Sequence, residues 1–479
     1  MSPPLDQSAC TLASRVRDGD LSPVDLVDLH IRRIESVDPL LNAMTARRFE
    51  QARSEARAAA ERLAAARRAG EAPPPLLGVP CTIKEFIAVE GLPHTGAILR
   101  LKGRVATADA EATRRVRAAG AIVLGATNAP EGGLWMETVN LISGRTKNPW
   151  DLTRTPGGSS GGEGAIVAAG GAPFGLGSDV GGSIRIPAAF CGVPGHKPTG
   201  GRVPNTGHFP PAAARGDALL CIGPLARRVE DLRLLTAILS VPVGAPLPSL
   251  DGGPVDDLRG LRVVSMPTEG VLEPRPVVAE AVRRAAAALE SRGARVVEAR
   301  LPALKSAVAI WSAVLSEAAD THYDEILGGE DGLSVLAELW RMPFGRARHS
   351  FPAVALTALD KATRPFSRFT RRFLAAGAAL REELDALLGA DGVLLHPPYS
   401  RPAPRHNDPW RTPLDFGCTA IFNMTESPVT VVPMGFESRG LPLAVQVVGA
   451  RRQDALTLRA AAAIEADVGG WVRAEPRVP

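Results

Sequence analysis

Residues 156–185 read PGGSSGGEGAIVAAGGAPFGLGSDVGGSIR and contain eleven glycines in thirty positions, with serines near both ends. Glycine loses much backbone entropy on folding and adds no side chain to a core, so such a run needs a local reason. The usual reasons are backbone conformations with positive φ, or a main chain that comes close to a ligand. The segment is therefore predicted to shape a site.

The second serine cluster, DVGGS at residues 179–183, has the features of an oxyanion hole. Backbone N–H groups beside glycine can converge on one point without obstruction by Cβ atoms. Each such donor, aimed where charge develops on a carbonyl oxygen, is worth on the order of 3 kcal/mol of barrier. Ser183 is then the candidate nucleophile, and Ser159 upstream is the candidate proton relay. The expected donors are the N–H groups of Val180, Gly181, Gly182 and Ser183.

Lysine usage indicates the base. The chain has only six lysines against 49 arginines. Arginine cannot give up its proton in practice, whereas a buried lysine can. An exposed lysine is neutral about once in 2,500 molecules at pH 7, and burial raises that fraction. Lys84 follows the apolar stretch LLGVPCTI, which reads as a buried strand, so its amine is expected to be desolvated and able to accept the Ser183 proton through Ser159.

A competing interpretation comes from residues 157–161, which satisfy G-x-S-x-G, the nucleophile elbow of α/β-hydrolases. In that case Ser159 is the nucleophile of an esterase, and His396 or His406 is its downstream base. A five-residue pattern matches easily by chance in a segment rich in glycine and serine. The interpretation also leaves the DVGGS cluster without a function.

Motifs for metal, phosphate and nucleotide chemistry are absent from the sequence. It contains no H-E-x-x-H pattern, no paired-cysteine zinc motif, no P-loop and no S-x-x-K pattern ending on a lysine. Gly175 and Gly177 continue as Ser-Asp-Val and so lack the third glycine of a dinucleotide loop. We therefore expect no metal site, and phosphate binding has only weak support.

Charge and cysteine usage bound the partners and the compartment. A net charge of +4 over 479 residues is weak, and no basic run is typical of nucleic-acid binding. Five scattered cysteines fit a reducing compartment. The first ten residues lack the features of a signal peptide, and the charge-free run at 164–178 is too short and too broken by glycine to span a bilayer. These patterns predict a soluble cytoplasmic protein with no transmembrane segment and no nucleic-acid partner.

Strands alternate with helices along the chain, which argues for an α/β fold with a mainly parallel sheet. Ser22, Pro23 and Asp25 form a helix start signal, and Gly70 is expected to end the second helix. Helices are predicted at about residues 22–38, 43–68, 110–119 and 454–467, strands at 76–83, 121–124 and 441–448, and a further helix–strand unit at 278–297.

No linker divides the chain, so a single domain over residues 1–479 is expected. It comprises an N-terminal helical segment (1–72), a core with the catalytic residues (73–300), and a helical cap with the last part of the sheet (301–479). Within the cap, residues 340–373 mix aromatic side chains with seven arginines. Two interpretations stay open for this segment: solvated helices that cover the active site, or a basic amphipathic surface that touches a membrane.

Several separated blocks resemble the amidase signature family, and together they span residues 21 to 465. The blocks are GVPCTIKE at 78–85, TPGGSSGG at 155–162, GSDVGGSIRIP at 177–187, DPLLNA at 38–43 and GLPLAVQVVG at 440–449. Within the family the chain is most similar to the fatty-acid amide hydrolase branch, on GRTKNP at 144–149, GGEG at 161–164, PAAFCG at 187–192, GHKPT at 195–199 and VPNTG at 203–207.

The resemblance implies a Ser–cis-Ser–Lys triad, with Ser183 as nucleophile, Ser159 as proton shuttle and Lys84 as base. In the family the peptide bond before the middle serine is cis, which corresponds here to Gly158–Ser159. The resemblance also implies a single α/β domain with a large twisted mixed β-sheet flanked by helices on both faces, and no cofactor. The residues expected to support the triad are Ser160, Ser178, Asp179 and Arg185.

The implied activity is hydrolysis of a fatty-acyl, aryl or peptide-type amide through an acyl-enzyme. The family's other known role, the glutaminase subunit of a tRNA-dependent amidotransferase, stays an alternative, although GGEGA and GHKPT speak against it. A homodimer is compatible with the resemblance. We expect no N-terminal membrane span like that of membrane-bound members, and the pocket-lining stretch at 132–137 is this chain's own version. The candidate pocket residues, for which core packing is an equal alternative, are Gly133, Leu134, Trp135 and Met136.

Overall fold

The computed structural model describes residues 2–211, 216–240, 249–318, 321–363 and 367–476. Within these residues the strands form one sheet of eleven strands and a separate two-stranded pair made by β4 and β5. The strands are β1 Met44–Arg47, β2 Pro80–Lys84, β3 Ile122–Thr127, β4 Val139–Asn140, β5 Gly144–Arg145, β6 Phe174–Asp179, β7 Gly195–Lys197, β8 Cys221–Ala226, β9 Arg262–Ser265, β10 Arg295–Val297, β11 Gly392–His396, β12 Val429–Phe436 and β13 Pro442–Gly449.

Helices flank both faces of the large sheet, so the predicted α/β domain is confirmed. In the described residues they are α1 Ala9–Asp18, α2 Pro23–Leu41, α3 Phe49–Ala69, α4 Glu111–Ala118, α5 Gly161–Ala168, α6 Arg185–Cys191, α7 Val229–Leu239, α8 Pro276–Ser291, α9 Ala307–Ala318, α10 Tyr323–Gly328, α11 Val335–Arg341, α12 Phe351–Thr363, α13 Ser367–Leu388, α14 Gly417–Met424 and α15 Asp454–Val468. The segment boundaries at residues 72 and 300 stay a prediction.

The large sheet is mixed, in the order β1-β3-β2-β6-β8-β7-β12-β13-β11-β9-β10. Strand β2 is parallel to β3 and β6, strand β9 is parallel to β10 and β11, and the other neighbours are antiparallel. The expectation of a mainly parallel sheet is therefore wrong, whereas the mixed sheet implied by the resemblance is confirmed. Alternation of strands and helices missed the hairpin of β12 and β13, whose short connection makes the two strands antiparallel.

The helix start predicted at Ser22 and the helix end predicted at Gly70 are confirmed. The Ser22 hydroxyl caps α2 by accepting the N–H of Val24 at 3.2 Å. Gly70 ends α3 in the left-handed region, with a φ of 70°. The second predicted helix is wrong in its first residues, because β1 occupies Met44–Arg47 and pairs with β3. That edge strand is only four residues long, and it lies directly before the alanine-rich helix α3, so the helical pattern was extended over it.

The parallel strands β2 and β6 place their carboxyl ends side by side, with Ile83 opposite Leu176. Strand β2 ends at Lys84 and β6 ends at Asp179. Both strands are buried along their whole length, which agrees with strands covered on both faces. Side chains at the carboxyl edge of neighbouring parallel strands converge, and in open α/β sheets this edge is where ligands bind.

Candidate active site

Lys84 is fully buried at the end of β2. Its Nζ lies 2.7 Å from Ser159 Oγ and 3.0 Å from Ser178 Oγ. Burial lowers the pKa of Lys84 to about 7, although nearby carboxylates favour the charged form. A far larger share of the molecules then carries a neutral amine near pH 7 than for an exposed lysine. The amine therefore has both the protonation state and the contacts of a general base.

Ser159 is buried and follows a cis peptide bond, Gly158–Ser159, as the resemblance implies. A Cβ atom at Gly158 would lie 2.5 Å from the carbonyl oxygen of Trp135 and 2.9 Å from the carbonyl carbon of Met136. No side chain fits there, so glycine is required by close packing. This packing holds the main chain before Ser159 against residues 135–137.

Ser183 follows a tight turn that is built on the Asp179 carboxylate. That carboxylate accepts the N–H of Gly182 at 2.7 Å and the N–H of Ile184 at 3.0 Å. Gly182 has a φ of 122°, and a Cβ atom there would collide with the side chain of Thr419. Glycine at position 182 is therefore a requirement of the turn that presents Ser183.

The expected oxyanion hole consists of the N–H groups of residues 180–183. The Gly182 N–H differs from that expectation, because it is directed at Asp179 Oδ1 and is not available to a carbonyl oxygen in this conformation. Within the described residues, the N–H groups of Val180, Gly181 and Ser183 have no acceptor. These three residues are half-buried, so a ligand can reach them. The structure thus reduces the candidate donors from four to three.

Arg185 and Asp179 form a fully buried ion pair beside this turn. Arg185 Nη2 lies 2.9 Å from Asp179 Oδ1, and Nε lies 3.0 Å from Oδ2. Arg185 also donates to the carbonyl oxygen of Thr419 at 2.7 Å and to the side chain of Asn423. Burial alone would raise the pKa of Asp179, but the guanidinium holds it well below its ordinary value. The carboxylate therefore stays ionised and keeps the turn before Ser183 in place.

Ser160 and Ser178 fasten the two glycine-rich clusters to each other. The Ser160 N–H donates to the carbonyl oxygen of Ser183 at 3.1 Å. Ser160 Oγ lies 3.3 Å from both the backbone nitrogen and the backbone oxygen of Ser178. The structure therefore brings the predicted site residues into one contiguous cluster: Lys84, Ser159, Ser160, Ser178, Asp179, Ser183 and Arg185.

Two buried titratable residues near the site were not predicted from the sequence. Glu163 on α5 accepts hydrogen bonds from Thr82 at 2.6 Å and Thr127 at 2.9 Å, and burial raises its pKa to about 8. Its signal was an acid within the otherwise small and apolar helix GGEGAIVA. His208 contacts Ser178 Oγ through Nε2 at 2.9 Å. It lies in a separate loop, and nothing in its local sequence indicates that contact.

The candidate pocket residues divide into two pairs. A Cβ atom at Gly133 would lie 3.7 Å from Ser159 Oγ, so this turn borders the site, and Leu134 beside it is half-buried. Trp135 and Met136 are buried in the main hydrophobic core. Trp135 stacks on Trp410 with ring centroids 4.2 Å apart. The turn thus borders the site, whereas the next two side chains pack as core.

The two histidines of the esterase interpretation are bonded to main-chain oxygens. His396 contacts the carbonyl oxygens of Pro397 and Glu269 at 2.8 and 2.9 Å, and His406 contacts that of Leu152 at 3.3 Å. Neither ring has a recorded bond to Ser159, whose hydroxyl lies at the amine of Lys84. The nucleophile-elbow interpretation is therefore not supported by the geometry.

Residues 340–373 form parts of α11, α12 and α13, and residues 364–366 lie outside the described residues. His349 of this segment lies 2.7 Å from Glu131, which precedes the turn at Gly133. This contact agrees with a cap that touches the edge of the site. The same region exposes large apolar side chains, among them Trp340 (68% exposed) and Phe344 (61% exposed). Among the helices in the described ranges, none is both long and apolar enough to cross a bilayer.

One cluster of possible metal ligands occurs in the described part of the chain, formed by Cys10, Glu230 and Asp231. Asp231 accepts the backbone N–H of Cys10 at 2.9 Å, and burial raises the pKa of the Cys10 thiol. A carboxylate that binds a helix N-terminus and a protonated thiol are typical of a structural contact. The cluster joins α1 to α7 and does not include the residues around Lys84.

Comparison with known proteins agrees with this geometry. The Amidase family model matches residues 25–458. Fatty-acid amide hydrolase 2-A of Danio rerio is 38% identical, over 98% of this chain and 90% of its own. A glutamyl-tRNA(Gln) amidotransferase subunit of Roseiflexus castenholzii is 34% identical, over 96% of this chain and 95% of its own. The solved structure of 6-aminohexanoate cyclic dimer hydrolase complexed with substrate has a TM-score of 0.77 and 29% identity, over 97% of both chains.

The matches cover nearly the whole chain, include the blocks that form the cluster around Lys84, and agree in sequence and in fold. The chain therefore belongs to the amidase family and is an enzyme that hydrolyses amide bonds.

Proposed function

We propose that the chain cleaves a carboxylic amide to an acid and an amine or ammonia through an acyl-enzyme on Ser183. In this proposal Lys84 is the general base and Ser159 passes the proton. The observation that carries it is the fully buried amine of Lys84, 2.7 Å from Ser159 Oγ. The reaction needs a neutral amine with a hydroxyl beside it. A lysine in bulk water is charged at neutral pH and has no such partner.

In the first half-reaction, neutral Lys84 accepts the hydroxyl proton of Ser159 while Ser159 accepts that of Ser183. Ser183 Oγ attacks the carbonyl carbon of the amide. The N–H groups of Val180, Gly181 and Ser183 donate to the oxygen on which negative charge develops. The relay then runs in reverse, protonates the leaving nitrogen and releases the amine or ammonia.

In the second half-reaction, water attacks the acyl-enzyme and gives its proton to the same relay. The acid leaves, and Ser183 regains its hydroxyl proton. The Asp179–Arg185 pair holds the turn before Ser183 during both halves, because Asp179 binds the N–H groups on either side of that residue. Besides the amide and water, the proposed steps use the side chains and main chain of this protein.

The proposed substrates are fatty-acyl, aryl or peptide-type amides. Relatives named as a fatty-acid amide hydrolase and as a hydrolase of a cyclic 6-aminohexanoate dimer support this range. The turn at Gly133 and Leu134 borders Ser159 and is proposed to contact the acyl group. Trp135 and Met136 lie in the core, so in this proposal they support the acyl pocket and do not contact the acyl group.

A glutaminase subunit of a tRNA-dependent amidotransferase is the second candidate, favoured by 34% identity to an amidotransferase subunit over nearly the whole chain. It predicts release of ammonia from glutamine only when partner subunits are present. A stand-alone amidase instead hydrolyses simple amides by itself. Assays with glutamine and with aryl and fatty-acyl amides, on the purified chain alone, separate the two.

The remaining proposals concern partners and compartment. We propose a cytoplasmic protein that acts on small amides and not on nucleic acid; formation of a homodimer stays a prediction. Contact of residues 340–373 with a membrane surface also stays a prediction, supported by the exposed Trp340 and Phe344. Light scattering of the pure protein tests the homodimer, and sedimentation with vesicles tests the membrane contact.

A serine-directed fluorophosphonate tests the proposed nucleophile. Mass spectrometry of peptides from the treated enzyme is expected to locate the adduct on Ser183 and to show none in Ser183→Ala. Ser36→Ala is a matched control, because Ser36 lies on the exposed side of α2 and its hydroxyl donates to the carbonyl oxygen of Arg33. An adduct on Ser159 in the wild-type enzyme would contradict the proposal.

A further inference from the structure

His208 ends a chain of hydrogen bonds that starts at the amine of Lys84. Lys84 Nζ lies 3.0 Å from Ser178 Oγ, and Ser178 Oγ lies 2.9 Å from His208 Nε2. On the other side of the ring, His208 Nδ1 lies 2.7 Å from the carbonyl oxygen of Pro210. All of the side chains in this chain are buried. The direction of each hydrogen bond follows from the Pro210 end, because a carbonyl oxygen cannot donate.

The Pro210 carbonyl oxygen can only accept, so His208 Nδ1 carries a proton and donates it. Burial lowers the pKa of His208 to about 3, and the neighbouring Lys84 and His94 act in the same direction, so the ring is neutral at working pH. A neutral ring protonated at Nδ1 has an unprotonated Nε2, which accepts a hydrogen bond from the Ser178 hydroxyl. The oxygen of Ser178 is then left to accept an N–H of Lys84.

The direction of these hydrogen bonds determines which hydroxyl can donate to the lone pair of a neutral Lys84. A neutral amine has two N–H groups and one lone pair. Two hydroxyls lie within hydrogen-bond distance of it, those of Ser159 and Ser178. If Ser178 donated to the lone pair, Ser159 could not pass its proton there. Because the Ser178 hydroxyl donates its hydrogen bond to His208, the lone pair is left for Ser159.

The loop that carries His208 is fastened to the residues just after Lys84. The N–H of Phe209 donates to the carbonyl oxygen of Phe86 at 2.8 Å, and the N–H of Ala88 donates to that of Gly207 at 3.0 Å. The ring of Phe86 meets the imidazole edge-on, with centroids 6.0 Å apart. These contacts fix the imidazole relative to the end of β2.

We propose that His208 is a positioning residue. By accepting the hydrogen bond of the Ser178 hydroxyl, it keeps the lone pair of Lys84 free for Ser159. The proposal rests on the proposed function, because it assigns the base role to Lys84. His208 touches neither Ser159 nor Ser183 in the recorded hydrogen bonds of the described residues, so it acts through Ser178. The carboxylates that act on Lys84 are those of Asp179, Glu163 and Glu85.

The first test compares His208→Leu, which removes the acceptor, with His208→Gln, whose side-chain carbonyl can replace it. For His208→Leu, kcat is expected to fall about tenfold or more with KM within about twofold, and His208→Gln is expected to recover most of the loss. The loss should persist at pH 9, where Lys84 is neutral throughout, because orientation and not protonation is impaired. Full kcat at pH 9 in His208→Leu would overturn the proposal.

His94→Leu is the matched control. His94 is also buried, contacts the carbonyl oxygen of Phe86 at 3.1 Å and packs against Phe209, but it has no recorded contact with Ser178. It is expected to keep kcat within about twofold, since it does not face the relay. An equal loss in both variants would mean that His208 only supports the loop. If His208→Leu does not fold, His208→Met takes its place.

The second test adds Ser178→Ala to each variant. Without the Ser178 hydroxyl no competitor for the lone pair remains, so His208→Leu/Ser178→Ala is expected to be as active as Ser178→Ala and more active than His208→Leu. Additive losses would overturn the proposal. Lys84→Met distinguishes a failure of the proposed function from a failure of the role proposed for His208. Full activity of Lys84→Met refutes Lys84 as the base. If Lys84→Met is inactive and His208→Leu is fully active, only the role of His208 is refuted.

Discussion

Two lysines in this chain, Lys84 and Lys197, share their position and burial but differ in the groups that their amines contact. Each is the last residue of a strand, Lys84 of β2 and Lys197 of β7, and each is fully buried. Burial lowers the pKa of both. Lys84 meets two hydroxyls, at 2.7 and 3.0 Å, whereas Lys197 meets the carbonyl oxygen of Pro198 at 2.9 Å and the thiol of Cys221 at 3.7 Å.

The difference shows that burial alone does not make a general base. A backbone carbonyl can only accept a hydrogen bond, so the best contact of Lys197 cannot supply a proton. A hydroxyl can both donate and accept, so Ser159 can take part in the proton relay that we propose between Ser183 and Lys84. The partner of the amine, and what that partner touches next, therefore separates a base from a structural lysine.

The largest expected effect comes from replacing each lysine with methionine. Lys84→Met should lower kcat/KM for an amide about a thousandfold, because it removes the base, whereas Lys197→Met should stay within about threefold. Steady-state assays of the two purified variants against one aryl amide measure both values. Comparable losses of activity in the two variants would contradict the distinction drawn between the two lysines. Near-normal activity of Lys84→Met would show that Lys84 is not the base.

The second effect is one that the two lysines should share. Because the folded pKa of Lys84 lies near 7 and that of a free lysine near 10.5, the unfolded chain binds more protons between these values, and wild-type stability rises with pH there. Lys84→Met lacks this penalty, so its free energy of unfolding should exceed that of the wild type by a few kcal/mol at pH 7, on the order of magnitude set by the pKa change, and by less at pH 10.

Urea unfolding at pH 7 and at pH 10 measures this gain. Lys197→Met should change in the same direction, since burial lowers the pKa of that lysine as well. A stability gain in both variants together with an activity loss in only one would sharpen the comparison. If Lys84→Met were less stable than the wild type at pH 7, the amine would be charged and well paired in the folded state.

The smallest effect is expected from Glu163, which acts on Lys84 but is not among the charges that act on Lys197. Burial raises the pKa of Glu163 to about 8, so its carboxyl carries less negative charge near the Lys84 amine than an exposed carboxyl would. Glu163→Gln should therefore leave kcat/KM within about twofold and move the acidic limb of its pH profile by less than about half a unit. A shift to lower pH by more than about one unit would mean that the carboxylate is ionised beside the amine.

Much of this site was predictable because the residues that carry it lie in short blocks with a clear local reason. Glycines marked the close packing at Gly158 and the turn at Gly182, and an apolar strand marked the burial of Lys84. The fold class followed from the alternation of strands and helices. The mixed order of strands did not, because it depends on pairing between distant segments that no local pattern encodes.

The contacts that sequence reasoning missed depend on three-dimensional geometry. His208 reaches Ser178 from a loop thirty residues further along the chain, and the Asp179 carboxylate takes the Gly182 N–H that was expected in the oxyanion hole. The same limit applies to Lys197, which ends a buried strand as Lys84 does. Position along the chain indicated that a lysine was buried, and only the partners in three dimensions distinguished the two.

The most direct test of a neutral Lys84 as the base is the rate at which a fluorophosphonate reacts with the enzyme as a function of pH. For the wild type, the rate constant should rise through one step near pH 7 and reach a plateau, because the reacting form has an uncharged amine. In Lys84→Met the rate should be low and without that step. A wild-type rate that is constant from pH 5 to pH 9, or a step that survives in Lys84→Met, would contradict the account.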